Sequence, residues 1–207
     1  HNHRQLVVVS GERDWTVAKA QKIQNWIAGD ADRSLWVSRR APDQSLQAGS
    51  RDLHRFLGQE IDLLIYDAWD GFNPNAFGQI SGTLCGGGLL VLLCPSLDEW
   101  ATYDDPEHSA LVVEPYGTDQ VGRRFISRLV SLLEVGDQVA IITPDKIKVC
   151  PPRNTCPVAT AQPVDAIYAS EDQRAAVEKI IKTLSRGRRP VVMTADRGRG
   201  KSATLGI

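Results

Sequence analysis

The 207-residue chain lacks most of the features that would assign it to a specialised class of protein. No apolar run is long enough to span a bilayer, the longest being residues 89–94. Its few cysteines show neither metal-ligand spacing nor the density of a secreted disulfide scaffold, and its four histidines are scattered. The cysteines are Cys85, Cys94, Cys150 and Cys156. We therefore expect a cytoplasmic protein with reduced thiols, no signal peptide and no membrane contact.

A strong charge of one sign is also missing. The 24 basic and 25 acidic residues give a formal net charge of -1, so no overall field draws the chain to nucleic acid. Any contact with RNA must come from local patches or from other parts of the protein. The content of 42% hydrophobic and 24% charged residues is typical of a globular protein, and the length suits one medium domain plus part of another.

Strand and helix signals alternate over the first 150 residues. This alternation predicts an α/β domain, a Rossmann-like parallel sheet flanked by helices. The predicted strands are residues 6–9, 35–37, 61–66, 89–94, 138–143 and 146–150. The predicted helices are residues 14–28, 45–57, 76–85 and 118–135. We expect a turn at residues 86–88 and a long loop at residues 96–115.

Two carboxylates follow the third predicted strand, at the edge where open parallel sheets build their sites. Asp67 and Asp70 could bind a metal or act in acid–base chemistry, although capping and turn formation are commoner roles for aspartate. Trp69 and Trp100 could stack on a base or could simply pack. The turn at residues 10–13 does not have the GxGxxG pattern, so the Rossmann-like outline identifies no ligand.

A proline-rich stretch marks a domain boundary. Residues 151–163 contain four prolines and no periodicity, which predicts a linker between a domain of residues 1–150 and a second one starting at residue 164. Beyond it, Ser170 to Gln173 form a capping box that opens a helix. A short strand at residues 190–193 is predicted after that helix.

The strand leads into a phosphate-binding loop pattern at residues 194–202. Such a loop holds nucleotide phosphates with backbone N–H groups, a lysine amine and a hydroxyl on magnesium, here Lys201 and Ser202. Ala195 replaces the first glycine of the usual pattern. The alternative is an Arg/Gly-rich surface turn, in which Arg197 and Arg199 are simply solvated.

Helix, strand and loop in this order resemble the opening of the RecA-like ATPase core in superfamily 1 helicases. In those proteins a glutamine at the position of Gln173 reads the adenine, although completion of the capping box explains this residue equally well. The resemblance implies ATP or GTP with Mg²⁺ as ligands, with Ser202 reaching the metal. The implied nucleotide-binding residues are Gln173, Gly198, Arg199, Gly200, Lys201, Ser202 and Ala203.

Nearly the whole chain resembles the bacterial tRNA(Met) cytidine acetyltransferases. The resemblance is carried by residues 6–11, 66–68, 71–73, 76–77, 81–84, 99–100 and 197–203. It implies an enzyme that uses acetyl-CoA to convert the wobble cytidine of elongator tRNA(Met) to N4-acetylcytidine, assisted by ATP or GTP hydrolysis. The order of domains in this family is an N-terminal α/β domain, a helicase-like ATPase module, a GNAT domain and a tRNA-binding region.

The chain would then hold the first domain and a truncated second one, with the acetyltransferase site beyond Ile207. We expect such a fragment to be inactive alone. Two alternatives stay open from the residues: a superfamily 1 helicase with an accessory N-terminal domain, and a non-catalytic scaffold that binds RNA or protein.

Overall fold

The computed structural model describes residues 3–27, 33–43, 45–150, 168, 170–185, 187, 190–194 and 201–206. The chain divides into two compact units, residues 1–153 and residues 154–207. The division falls inside the predicted linker, residues 151–163, which itself lies outside the described residues.

In the part of the first unit that the structure describes, seven strands form one sheet. The strands are β1 (Gln5–Ser10), β2 (Ser34–Val37), β3 (Leu46–Ala48), β4 (Ile61–Asp67), β5 (Leu84–Cys94), β6 (Val139–Ile142) and β7 (Ile147–Lys148). Their order across the sheet is β3-β2-β4-β5-β1-β6-β7, and all neighbours are parallel except β6 and β7. The predicted α/β class with a mainly parallel sheet is confirmed.

The described residues of this unit form four α-helices. They are α1 (Arg13–Ile27), α2 (Pro74–Ser81), α3 (Leu97–Trp100) and α4 (Arg124–Val135). Short 3-10 helices lie at Leu53–Phe56, Ala68–Asp70, Pro106–Ala110 and Thr118–Gln120. Because parallel strands are covered on both faces, their residues alternate between two apolar layers. Val8, Leu64 and Leu92 face the layer that includes α2 and α4, whereas Val9 and Ile65 face the layer of α1.

The predicted helix over residues 45–57 is wrong. Leu46–Ala48 instead pairs with β2 as the edge strand β3, and only Leu53–Phe56 is helical, as a 3-10 turn. The two are separated by a turn in which the Asp52 N–H donates to the Gly49 carbonyl at 3.1 Å. Pairing with an existing strand outweighed a weak helical pattern that Gly49 interrupts.

The turn predicted at residues 86–88 is also wrong. The helix expected over residues 76–85 ends at Ser81, and the three glycines lie within β5. A Cβ on Gly88 would lie 2.9 Å from the carbonyl oxygen of Asp62, and the register of β4 and β5 shifts between Ile61 and Leu63. The glycines therefore allow a close approach of two strands at an irregularity of the sheet.

The segment expected to be a loop at residues 96–115 holds α3 and the 3-10 helix Pro106–Ala110. It is anchored by Trp100, which is 2% exposed and meets Phe72 edge to face at 5.5 Å. The helix predicted over residues 118–135 begins only at Arg124, because the chain is extended at Val121 after a separate 3-10 turn.

The second unit contains α5 (Glu171–Leu184) and α6 (Lys201–Gly206), which contact each other. The predicted cap of α5 is confirmed, since the Ser170 hydroxyl accepts from the Gln173 N–H at 3.3 Å. The strand predicted at residues 190–193 is not formed, and Val192 is 84% exposed. A strand requires a hydrogen-bonded neighbour, and the described part of this unit offers none.

Candidate functional site

The loops that leave the carboxyl ends of β1, β2 and β4 meet around one arginine. Arg13, the first residue of α1, lies between two carboxylates: one guanidinium nitrogen pairs with Asp70 Oδ1 and lies 3.5 Å from Asp67 Oδ2. The same edge of the sheet is where open α/β folds place their ligands. Arg13 therefore joins the loop after β1 to the loop after β4.

The two aspartates also hold the loop that follows β2. Asp67 Oδ2 accepts from the Ser38 hydroxyl at 2.8 Å, and Ser38 Oγ in turn accepts from the Arg40 N–H at 2.9 Å. Asp70 Oδ2 accepts from the Arg39 N–H at 2.6 Å. The backbone of residues 38–40 is thus fixed by side chains that come from the neighbouring strand-end loop.

Asp67 occupies an unusual environment for a carboxylate. Its side chain is fully buried, and burial raises its pKa above the ordinary value, with the nearby charge of Asp70 acting in the same direction. The hydrogen bond from Ser38 and the charge of Arg13 oppose this rise. Asp67 Oδ1 accepts from the Trp69 N–H at 3.0 Å, which caps the 3-10 helix Ala68–Asp70.

This arrangement assigns structural work to the two aspartates. Their oxygens are engaged by Arg13 and by the loop backbone, and no group of three or more possible ligands in the described residues could hold a metal ion. The capping role that the sequence favoured for Asp67 is confirmed by its bond to Trp69. A direct role of these two residues in metal or acid–base chemistry finds no support in their contacts.

The tryptophans at this edge act in packing. Trp100 is buried in the core, and Trp69 meets Tyr103 edge to face with ring centres 5.2 Å apart. The Tyr103 hydroxyl also donates to the Trp69 carbonyl at 3.0 Å. The ring of Trp100 is therefore closed to a nucleic-acid base, and that of Trp69 is held against its neighbour.

The predicted phosphate-binding residues are described in part. Gly198, Arg199 and Gly200 lie outside the described residues, as do Ala195 and Arg197. Lys201 is the first residue of α6, and Ala203 is exposed in the same helix. The backbone of Ser202 is part of α6, and Gln173 lies in the first turn of α5.

Several residues of the carboxyl-edge network were missed from the sequence. Ser38 and Arg39 come directly after one predicted strand and Arg13 ends the turn after another, so the rule that pointed to Asp67 would have found them too. Glu107 carried no such signal. Its carboxylate accepts from Ser50 Oγ at 3.1 Å and from Asn73 Nδ2 at 3.3 Å, contacts that only the folded chain reveals.

Comparisons with known proteins point to one family. A family model described as "tRNA(Met) cytidine acetyltransferase TmcA, N-terminal" matches residues 1–144. Proteins named tRNA(Met) cytidine acetyltransferase TmcA are similar along the chain. The one from Nitrosococcus halophilus is 41% identical over 99% of this chain and 28% of its own length. Those from Haloferax volcanii and Pectobacterium atrosepticum are 31% and 30% identical over 100% and 99% of this chain.

The chain spans only part of these relatives, 28% or 29% of the length of each of the three. In the described residues, no helix is long and apolar enough to cross a membrane.

Proposed function

Because the chain belongs to the tRNA(Met) cytidine acetyltransferase family, we propose that it is the N-terminal part of an enzyme that acetylates the wobble cytidine of elongator tRNA(Met). The product is N4-acetylcytidine, acetyl-CoA is the donor, and the reaction takes place in the cytoplasm with the tRNA. The observation that carries this proposal is the similarity over 99% of the chain to a protein of that name.

Acetyl transfer itself is assigned to parts of the full-length enzyme other than these 207 residues. The matched relatives are more than three times as long as the chain, which leaves ample sequence for an acetyltransferase domain and a tRNA-binding region. Acetyl-CoA supplies the acetyl group as a thioester, and we assign none of the described side chains to it. The 207-residue chain alone is accordingly expected to be inactive in acetylation.

The second unit is proposed to open a nucleotide-hydrolysing module that helps to position the tRNA. Two features support this: the sequence pattern of residues 194–202 and the start of α6 at Lys201, where such a loop passes into its helix. Lys201 would reach the outer phosphates of ATP or GTP, and Ser202 would ligate Mg²⁺. The backbone N–H groups of the loop would hold the remaining phosphate oxygens.

The individual positions have distinct proposed roles. Gly198 and Gly200 allow the backbone to approach the phosphates, and Arg199 and Ala203 contribute backbone N–H groups. Gln173 would read the nucleotide base from the start of α5, a helix that contacts α6. Its backbone N–H donates to the Ser170 hydroxyl that caps α5, so the proposed base contact would be made by the side chain.

The test uses the full-length enzyme with tRNA, acetyl-CoA and ATP, and mass spectrometry of the digested tRNA. We expect N4-acetylcytidine in the tRNA and a loss of ATP turnover of about tenfold or more in Lys201→Ala, since one charge-assisted phosphate contact is removed. Lys182→Ala, an exposed lysine of α5, is the matched control.

Two results would contradict different parts of this proposal. Absence of acetylated cytidine from every tRNA offered would refute the acetyltransferase assignment. Unchanged ATP turnover in Lys201→Ala, with acetylation intact, would refute the phosphate-loop assignment and leave the first part standing.

A further inference from the structure

A polar groove lies at the carboxyl edge of β2 and β3 in the first unit. It consists of two cavities of about 340 Å³ and about 440 Å³ that share Ser38, Arg39, Gly49 and Asp52 in their walls. These volumes lie in the range of small-molecule sites, and the carboxyl edge of a parallel sheet is their usual position.

The walls of this groove are held in place before any ligand arrives. On one side, the Arg39 N–H is bound by Asp70 and Ser38 is bound by buried Asp67. On the opposite side, Glu107 accepts from the Ser50 hydroxyl. The wall carboxylates Asp67, Asp70 and Glu107 are thus engaged within the protein, and rigid walls lower the ordering cost of binding.

Two cations of the groove are left without a carboxylate. The guanidinium groups of Arg39 and Arg51 form no ion pair and no hydrogen bond with any described residue, and both residues are exposed. Planar guanidinium donors match phosphate oxygens in pairs. A ligand with several anionic oxygens could therefore accept hydrogen bonds from the guanidinium groups of Arg39 and Arg51.

One acceptor of the groove complements these donors. Asp52 lines both cavities, and among the described residues its carboxylate forms one long ion pair, 4.0 Å to Arg55 on the same 3-10 turn. A carboxylate in this position can accept from sugar hydroxyls, as acidic residues of nucleotide-binding α/β folds do. Phosphate acceptors and hydroxyl donors occur together in a nucleotide.

We propose that the groove binds a nucleotide, with Arg39 and Arg51 on its phosphate and Asp52 on its ribose hydroxyls. The nucleotide is either free or part of an RNA strand, since both offer the same groups. This site belongs to the first unit and is separate from the phosphate loop proposed for the second, so each of the two assignments can fail without the other.

The experiment measures binding to the 207-residue chain that carries Lys201→Ala, so that a nucleotide held by the second unit does not contribute. The probes are adenosine 5′-monophosphate, inorganic phosphate and a short single-stranded RNA, titrated by calorimetry. Amide shifts in NMR spectra locate the bound probe, and we expect them at Arg39, Arg40 and Gly49 to Asp52.

Four variants define the contacts. Arg39→Ala and Arg51→Ala should each weaken nucleotide binding about tenfold or more, the loss of one charge-assisted contact. Asp52→Asn should weaken the mononucleotide and leave inorganic phosphate unchanged. Arg128→Ala, an exposed arginine of α4, is the matched control and should bind as the parent does.

We expect the two arginine substitutions to leave the fold intact, because Arg39 bonds to Asp70 through its backbone and neither guanidinium has a partner in the described residues. Equal thermal midpoints of the variants check this point. If RNA binds in an arginine-dependent way and the mononucleotide does not, the site takes a nucleotide that is part of an RNA strand. If the mononucleotide binds, the site takes a free nucleotide. Binding of no probe, or undiminished binding in the Arg39→Ala/Arg51→Ala double variant, would overturn the proposal.

Discussion

Replacement of Asp67 by alanine tests the view that the carboxyl edge is held together from one buried side chain. The substitution removes the acceptor for the Ser38 hydroxyl at 2.8 Å and for the Trp69 N–H at 3.0 Å. Arg13 also loses a contact of 3.5 Å but keeps its pair with Asp70. The loss is thus concentrated in two donors, of which the Ser38 hydroxyl is buried and the Trp69 N–H is partly buried.

The magnitude follows from these two donors. A buried hydrogen-bonding group left without a partner costs about 1–3 kcal/mol. Because the Trp69 N–H is only partly buried and counts at the low end of this range, Asp67→Ala should lower the free energy of unfolding by about 2–4 kcal/mol. Since domains of this size are stable by about 5–15 kcal/mol, such a loss is a large share of the total. Asp137→Ala, which removes an exposed carboxylate, should change stability by less than about 0.5 kcal/mol.

Urea unfolding followed by tryptophan fluorescence is the suitable assay. All five tryptophans, at positions 15, 26, 36, 69 and 100, belong to the first unit, so the signal reports that unit without interference from the second. A midpoint in Asp67→Ala equal to that of the wild type, with an unchanged slope, would refute the structural role assigned to this carboxylate.

Asp67→Asn tests the direction in which the stability of the protein changes with pH. Burial raises the pKa of Asp67 in the folded state, so the folded protein holds this proton more tightly than the unfolded chain does. This proton therefore stabilises the folded protein in full at a pH below the pKa that Asp67 has in the unfolded chain. The stabilisation is lost as the pH rises through the pKa that Asp67 has in the folded protein. The permanently neutral Asn variant should therefore gain stability relative to the wild type as the pH is raised from about 4 to about 7. The opposite trend would mean that the charge of Arg13 outweighs burial.

Two further pairs of substitutions contrast buried and open positions by circular dichroism. Trp100→Ala should cost about 3–5 kcal/mol of stability, since the ring is 2% exposed, whereas Trp26→Ala, at 87% exposure, should change it by less than about 0.5 kcal/mol. Gly71→Ala should destabilise by about 1–3 kcal/mol, because φ is +113° and a Cβ would lie 2.6 Å from Glu107 Cγ. Gly78→Ala in α2 should stabilise the protein by about 0.5–1 kcal/mol, since a Cβ there meets nothing within 4 Å. Equal changes in stability for the two members of either pair would contradict the packing described.

The central strands were predictable because their residues carry the signal by themselves. β1 contains the continuous apolar run of residues 6–9 and β4 that of residues 63–66, as expected for strands covered on both faces. The edge strand β3 has three residues and two of them are exposed, so its sequence gives no such run. It forms because Leu46 and Ala48 find the free edge of β2 beside them, which is a property of the folded sheet.

At the site, too, the sequence predicts what depends on neighbouring residues and does not predict contacts between residues far apart in the chain. Position after a strand end indicates Asp67 and Asp70 from the sequence alone, because parallel strands bring such loops to one edge. The identity of their partners does not follow from it: Arg13 is 57 residues from Asp70, and Glu107 is 57 residues from Ser50. The sequence therefore leaves Asp67 and Asp70 as candidates for chemistry, whereas the folded chain brings Arg13 into contact with both carboxylates.

The contacts of Asp70 connect the stability of this edge to the proposed nucleotide groove. One of its oxygens pairs with Arg13 at the start of α1, and the other accepts from the Arg39 N–H, so the position of the groove wall depends on a helix that does not line it. Arg13 therefore acts on the groove as a positioning residue, whereas the Arg39 guanidinium would act by contact. Since the Arg39 side chain takes no part in this network, evolution or mutation can alter the ligand contact without loosening the loop that presents it.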